Sequence, residues 1–154
     1  SIITAVFALA IAAAGAAHAQ SVPIVRDAEI EALVRDYARP ILQAAGLSKS
    51  GINIILVNDR RFNAFVDGRR IFINTGALVT AETPNEIIGV LAHETGHIFG
   101  APDEYASSGC NCGGSWGYYG KPNANCANCA AGGGVDCLMR ANSWAMCSHT
   151  KNCG

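Results

Sequence analysis

The sequence predicts an α+β domain: a small mixed sheet, a supporting helix and a helix bearing paired histidines, followed by a cysteine-rich irregular subdomain. Three observations lead there. Short runs rich in β-branched residues lie at 52–57 and 70–74, bounded by turn residues. Apolar positions recur at helical spacing before and after them. All seven cysteines lie at or beyond Cys110, where periodic apolar runs largely stop. A chain of 154 residues has room for one domain and hardly for two.

The first element in order is SIITAVFALAIAAAGAAHAQ, an uncharged run ending in Ala17-His18-Ala19 before Gln20. It reads as the hydrophobic and cleavage regions of a truncated secretory signal peptide over residues 1–19. Left uncleaved, it would be the chain's sole means of membrane attachment. The remainder divides into a core at 20–104 and the cysteine-rich segment at 105–154. The formal net charge of -1, without a block of like charge, argues against nucleic acid or an anionic membrane surface as the main partner.

Asp27 to Ala45 has apolar residues at helical spacing, with Pro40 expected to kink or divide it and Gly46 to stop it. Residues 52–57, INIILV, make a buried strand. Asp67-Gly68 stands between two apolar runs and predicts a hairpin, because glycine supplies the positive φ of a tight turn. An exposed edge at 70–74 would hold extended peptide by backbone hydrogen bonds. A further helix opens at Thr83-Pro84-Asn85-Glu86, with Thr83 and Glu86 as a capping box and Pro84 at its first position. Ile87, Ile88, Val90, Leu91 and Ile98 form its buried stripe, and Gly100 ends it.

That helix carries HETGH. His93 and His97 are one turn apart and project from one face. Two imidazoles on a rigid helix suit Zn2+, which takes tetrahedral nitrogen and oxygen ligands and keeps one position open in catalytic sites. Glu94 stands beside the first histidine as general base for a metal-activated water. The run continues as HETGHIFGAPD, so that a turn at Gly100 brings Asp103 back as a third ligand. Glu104 could serve instead, or bind Ca2+ together with Asp103, and Asp136 is a more remote oxygen donor. Tyr105, Tyr118, Tyr119 and His149 are candidates for stabilising an oxyanion. Ordinary packing is the competing reading for the tyrosines, as it is for Met139 and Met146.

Cys110, Cys112, Cys126, Cys129, Cys137, Cys147 and Cys153 fit disulfides in an exported chain, leaving an odd thiol. The competing reading joins the CxC at 110 and 112 to the CxxC at 126 and 129 as a four-thiolate zinc knuckle.

Two resemblances cover different stretches. NAFVDGRRIFINTGALVTAETPNEIIGVLAHETGHI, within residues 50–98, resembles gluzincin peptidases of the HtpX and CAAX-prenyl-protease kind. That likeness implies a zincin fold, and a third ligand that is a Glu on a later helix; this chain has no Glu after Glu104. Residues 93–150, with HExxHxxGxxD, resemble cysteine-rich secreted metzincin-like peptidases, the minority with Asp as third ligand. There the family's methionine turn beneath the zinc implies a role for Met139 in Cys137-Leu138-Met139, with Met146 second.

The expectation is a secreted or periplasmic bacterial zinc metalloendopeptidase acting on protein or peptide substrates, with His93, His97 and Asp103 on the metal and Glu94 as base. Two rivals stand beside it: a zinc-binding, non-catalytic recognition module, and a non-functional hybrid of two peptidase scaffolds.

Overall fold

The computed structural model describes residues 21–129, 134–141 and 147–151. The signal-peptide segment, Met146 and Cys153 lie outside the described residues, as does the side chain of His149. Among the described residues no helix is long and apolar enough to cross a membrane.

Strand β1 (Ile24–Val25) leads into helix α1 (Ala28–Ala44). Asp27 caps that helix, its carboxylate accepting from the amides of Glu29 and Ile30 at 3.1 Å each, an arrangement worth about 1 kcal/mol. Pro40 does not divide it: the helix is continuous to Ala44. At its end Gly46 takes φ +72°, Leu47 N bonds to Leu42 O and Gly46 N to Gln43 O. This is a Schellman stop, which requires the left-handed conformation glycine adopts without a Cβ penalty.

Strands β2 (Asn53–Val57), β3 (Ala64–Asp67) and β4 (Arg70–Asn74) complete a sheet of order β1-β2-β4-β3. β4 runs parallel to β2 and antiparallel to β3, which joins it through the turn at Gly68, φ +60°. The sheet therefore corrects one expectation. Residues 70–74 are paired on both sides, and the outer strand on the hairpin side of the sheet is β3. Ile71, Phe72, Ile73 and Asn74 are all buried: Ile71 and Ile73 enter the core under the helices, while Phe72, on the opposite face, is covered by the cross-strand ring of Phe65 stacked on it at 4.7 Å.

Helix α2 (Thr75–Thr80) follows directly. The Asn74-Thr75-Gly76 corner docks on Asp59, whose carbonyl accepts from Gly76 N at 2.8 Å and Thr75 Oγ1 at 3.0 Å. A Cβ on Gly76 would collide with the carbonyls of Arg60 and Arg61, so the close approach demands glycine.

Helix α3 (Pro84–Ile98) packs on α1 and against β3 and β4. Pro84 opens it as expected. Thr83 does not cap an amide; its hydroxyl instead meets the Glu86 carboxylate, which also accepts from Glu82 N at 3.2 Å. Leu91 and Ile87 enter a core with Val34, Ala38, Leu56, Ile71, Ile73 and Ala77. This core fixes α3 on the sheet; the polar face of the same helix turns toward β3.

Beyond α3 the structure is largely irregular: a 3-10 turn (Ala106–Ser108), the two-stranded ribbon β5 (Ser115–Trp116) and β6 (Lys121–Pro122), and short helices α4 (Leu138–Ala141) and α5 (Ser148–Lys151). Among the described residues three disulfides tie it: Cys110–Cys126, Cys112–Cys129 and Cys137–Cys147. The CxC and CxxC cysteines thus pair with each other as disulfides, which removes the thiolates a zinc knuckle would need.

Candidate active site

His93 and His97 sit on the face of α3 turned toward β3, and the chain reverses just beyond them. Gly100, φ +77°, receives the reversal, with Ala101 N bonded to Gly96 O and Gly100 N to His97 O. A Cβ on Gly100 would stand 2.9 Å from Gly117 Cα, so the cysteine-rich segment packs directly on this turn. The reversal returns Asp103 to the histidines. Its Oδ1 lies 2.8 Å from His93 Nε2 and 3.3 Å from His97 Nε2.

The other ring nitrogens set the tautomers. His93 Nδ1 donates to the Leu138 carbonyl at 3.0 Å and His97 Nδ1 to the Ala101 carbonyl at 2.8 Å. A carbonyl can only accept, so each Nδ1 carries a proton. In the neutral imidazoles, both Nε2 lone pairs then face the Asp103 carboxylate. Lone pairs and an anionic oxygen at this distance repel unless a proton or a cation lies between them.

Ionisation follows the same logic. Burial pulls the histidines down, but hydrogen bonds they donate to Asp103 and the backbone carbonyls, with the charge of Asp103, leave both above the ordinary histidine value. For Asp103, burial raises and the two histidine hydrogen bonds lower; the latter win and hold it well below the usual carboxylate range. Glu94, 5% exposed, is raised chiefly by burial. Its Oε2 is buried with no hydrogen-bond partner among the described residues.

This donor set fits a zinc ion: two imidazole Nε2 atoms and one carboxylate oxygen, with a second carboxylate adjacent. Ligands at zinc distances around a tetrahedral centre stand about 3.4 Å apart, close to the His97–Asp103 spacing, and the His93–Asp103 pair is slightly tighter. Ligand atoms of His93, Glu94 and His97 lie within 4.8 Å of one another.

Met139, 0% exposed, lies under the helix: a Cβ on Gly96 would come 2.6 Å from its Sδ. Glu104 does not join Asp103. It is 0% exposed and accepts from Asn123 Nδ2 and Asn125 Nδ2, each at 2.7 Å, within the cysteine-rich segment. Asp136 is exposed and belongs to no cluster of metal-binding groups among the described residues.

Of the oxyanion candidates, Tyr105 lines the cleft and donates to Asp103 Oδ2 at 3.1 Å. Tyr118, 86% exposed, and Tyr119 line a separate hollow beside Gly100. The cleft itself measures about 790 Å3, between α3 and the edge strand β3. Two of its features escaped the sequence: β3 as the wall, and Arg140, which immediately follows Met139 and could have been suspected from that neighbourhood alone.

The model of peptidase family M48 matches residues 25–105. The chain belongs to this family, whose members are zinc-dependent metallopeptidases. The match spans the sheet, α3 and the Gly100 turn, and ends at Tyr105. No curated protein matches the chain.

Proposed function

We propose that the chain is a zinc-dependent metalloendopeptidase in which His93, His97 and Asp103 hold the metal and Glu94 is the general base. The convergence of two Nε2 lone pairs and Asp103 Oδ1, beside a Glu94 Oε2 without a hydrogen-bond partner among the described residues, carries this reading. Zinc, when bound, supplies Lewis acidity that polarises the scissile carbonyl and makes water easier to deprotonate.

Glu94 takes a proton from the attacking water and delivers it to the leaving amine. Its burial suits both tasks, because a carboxylate in an apolar setting holds a proton more readily than one in solvent. The outer edge of β3 (Ala64–Asp67) receives substrate as an added strand. Tyr105, bonded to Asp103 Oδ2, orients the third ligand. Met139 packs beneath the histidine helix as in the metzincin-like pattern, and HExxHxxGxxD supports Asp103 in place of the family's later Glu.

Secretion or a periplasmic location is part of the proposal. Three disulfides favour an oxidising compartment, and residues 1–19 have the composition of a cleavable signal.

The test is zinc stoichiometry and casein hydrolysis on the oxidised protein and on Glu94→Gln. One zinc per chain in both, with hydrolysis confined to the parent, is the expected result. Zinc without hydrolysis in either would instead indicate a non-catalytic zinc module. A folded protein without zinc would overturn the site.

A further inference from the structure

Arg140 lines the same cleft as the histidines and Glu94. It sits in α4, which packs against α3, two residues beyond the carbonyl that holds His93. Its guanidinium donates from Nη1 to the Asn125 carbonyl at 3.0 Å. Asn125 is itself fixed: its amide donates to Glu104 Oε2 at 2.7 Å, its amide oxygen accepts from Val135 N at 3.1 Å, and its own N bonds to Asn123 Oδ1. A guanidinium has five N–H donors in a planar fork. Among the described residues no carboxylate stands within ion-pair distance of it.

The other charged groups of the cleft are Glu94 and Asp103. Zinc held by His93, His97 and Asp103 would offset those two carboxylates and leave the charge of Arg140 over. Holding a cation partly buried without an anion is costly, and the network behind Asn125 keeps this one at the cleft wall.

We propose that Arg140 is a specificity-determining residue that recognises a carboxylate on the peptide substrate. The inference rests on the peptidase reading and adds to it a substrate class: peptides with an acidic side chain, or the chain-terminal carboxylate, close to the scissile bond. Arginine suits this over lysine because two parallel N–H bonds match both oxygens of a carboxylate. Hydrogen bonds to charged groups of this kind correspond to roughly ten- to hundredfold in affinity.

The test uses the zinc-loaded protein and quenched peptides spanning a casein cleavage site. Glu and Gln are placed in turn at each position flanking the scissile bond, with the C terminus free or amidated. The parent is expected to favour Glu over Gln at one position, or the free over the amidated end, by at least about tenfold in kcat/KM. That ratio falls to within about twofold in Arg140→Met and is partly kept in Arg140→Lys. Which pair shows the ratio tells side chain from chain end.

A second measurement needs no turnover. Fluorescence anisotropy on the Glu94→Gln protein should show the same preference in Kd, lost when Arg140→Met is added. Equal treatment of acidic, neutral, free and amidated peptides by the parent would overturn the proposal, as would an Arg140→Met variant that weakens all of them alike. Should the parent cleave no peptide, the peptidase reading fails, and the anisotropy ratio still decides the role of Arg140.

Discussion

The sulfur of Met139 occupies the place where a side chain on Gly96 would begin, 2.6 Å from the ideal Cβ position. The helix that carries both histidines can seat on Met139 only because its residue between them and beneath them has no side chain. Gly96→Ala should therefore shift the helix or the methionine. Overpacking of this kind costs about 1–3 kcal/mol, read as a lower denaturation midpoint, and zinc affinity should fall with it. Met139→Leu, which conserves volume, should cost less than about 1.5 kcal/mol, whereas Met139→Ala, at a fully buried position, should cost about 2–5 kcal/mol.

Asp103 and Glu104 are adjacent in sequence and face different surroundings, so neutralising them should have separable effects. Asp103→Ala should reduce zinc affinity by more than the roughly 10- to 100-fold typical of residues that only orient ligands. Glu104→Gln should retain zinc while losing about 1–3 kcal/mol of stability, since it removes a buried charged acceptor from two asparagine amides. Competition with a chelator measures the first and urea titration the second. Zinc binding lost equally in both variants would contradict the assignment.

The histidines lie above their ordinary value, and the sign of the consequence follows. A group whose folded pKa is raised stabilises the fold fully below its unfolded value and loses that contribution as pH rises through the folded one. Glu94, also raised, acts in the same direction, while Asp103, lowered, loses its contribution only in strong acid. The zinc-free protein should thus be less stable at pH 8 than at pH 6. The zinc-loaded protein should show the opposite trend, because protons compete with the metal for Nε2. Thermal melts with and without chelator at both pH values provide the comparison.

If β3 accepts substrate as an added strand, backbone groups of the peptide matter as much as its side chains. N-methylation of single substrate amides near the scissile bond should raise KM several-fold at alternate positions, reflecting the two-residue repeat of a strand. Uniform tolerance of N-methylation would exclude strand addition at Ala64–Asp67.

Removal of the Cys137–Cys147 bridge by paired serine substitutions should cost about 2–5 kcal/mol. Because Leu138 and Met139 directly follow Cys137, the same variant should bind zinc more weakly, whereas loss of Cys112–Cys129 should affect the metal less. Isothermal titration on the two variants distinguishes them.

Much of the site was legible in the sequence because its signals are local. The i, i+4 histidines, Glu94 and the Gly100 turn need only helix geometry and a positive φ. The two strands and the Asp67-Gly68 turn were legible for the same reason. The order of the sheet was not. Residues 70–74 read as an edge because pairing partners are set by the crossover from β2, and no local residue records that β4 lies between β2 and β3. At Pro40 sequence left a kink and a division both open, and the helix, with Val34 and Ala38 packed in the core, is undivided across it. Disulfide pairing, the inward turn of Glu104 and the presence of Arg140 at the cleft depend on contacts across the cysteine-rich segment, where spacing carries little information.

Both histidine rings are oriented by main-chain oxygens, those of Ala101 and Leu138. No side-chain replacement at either position can delete those acceptors. The tautomer of each imidazole is thereby shielded from point mutation and exposed mainly to insertions and deletions that shift the chain path. Such a site tolerates sequence drift around it more readily than one oriented by carboxylates. That latitude is compatible with a family M48 core continuing into a segment whose sequence has a different character.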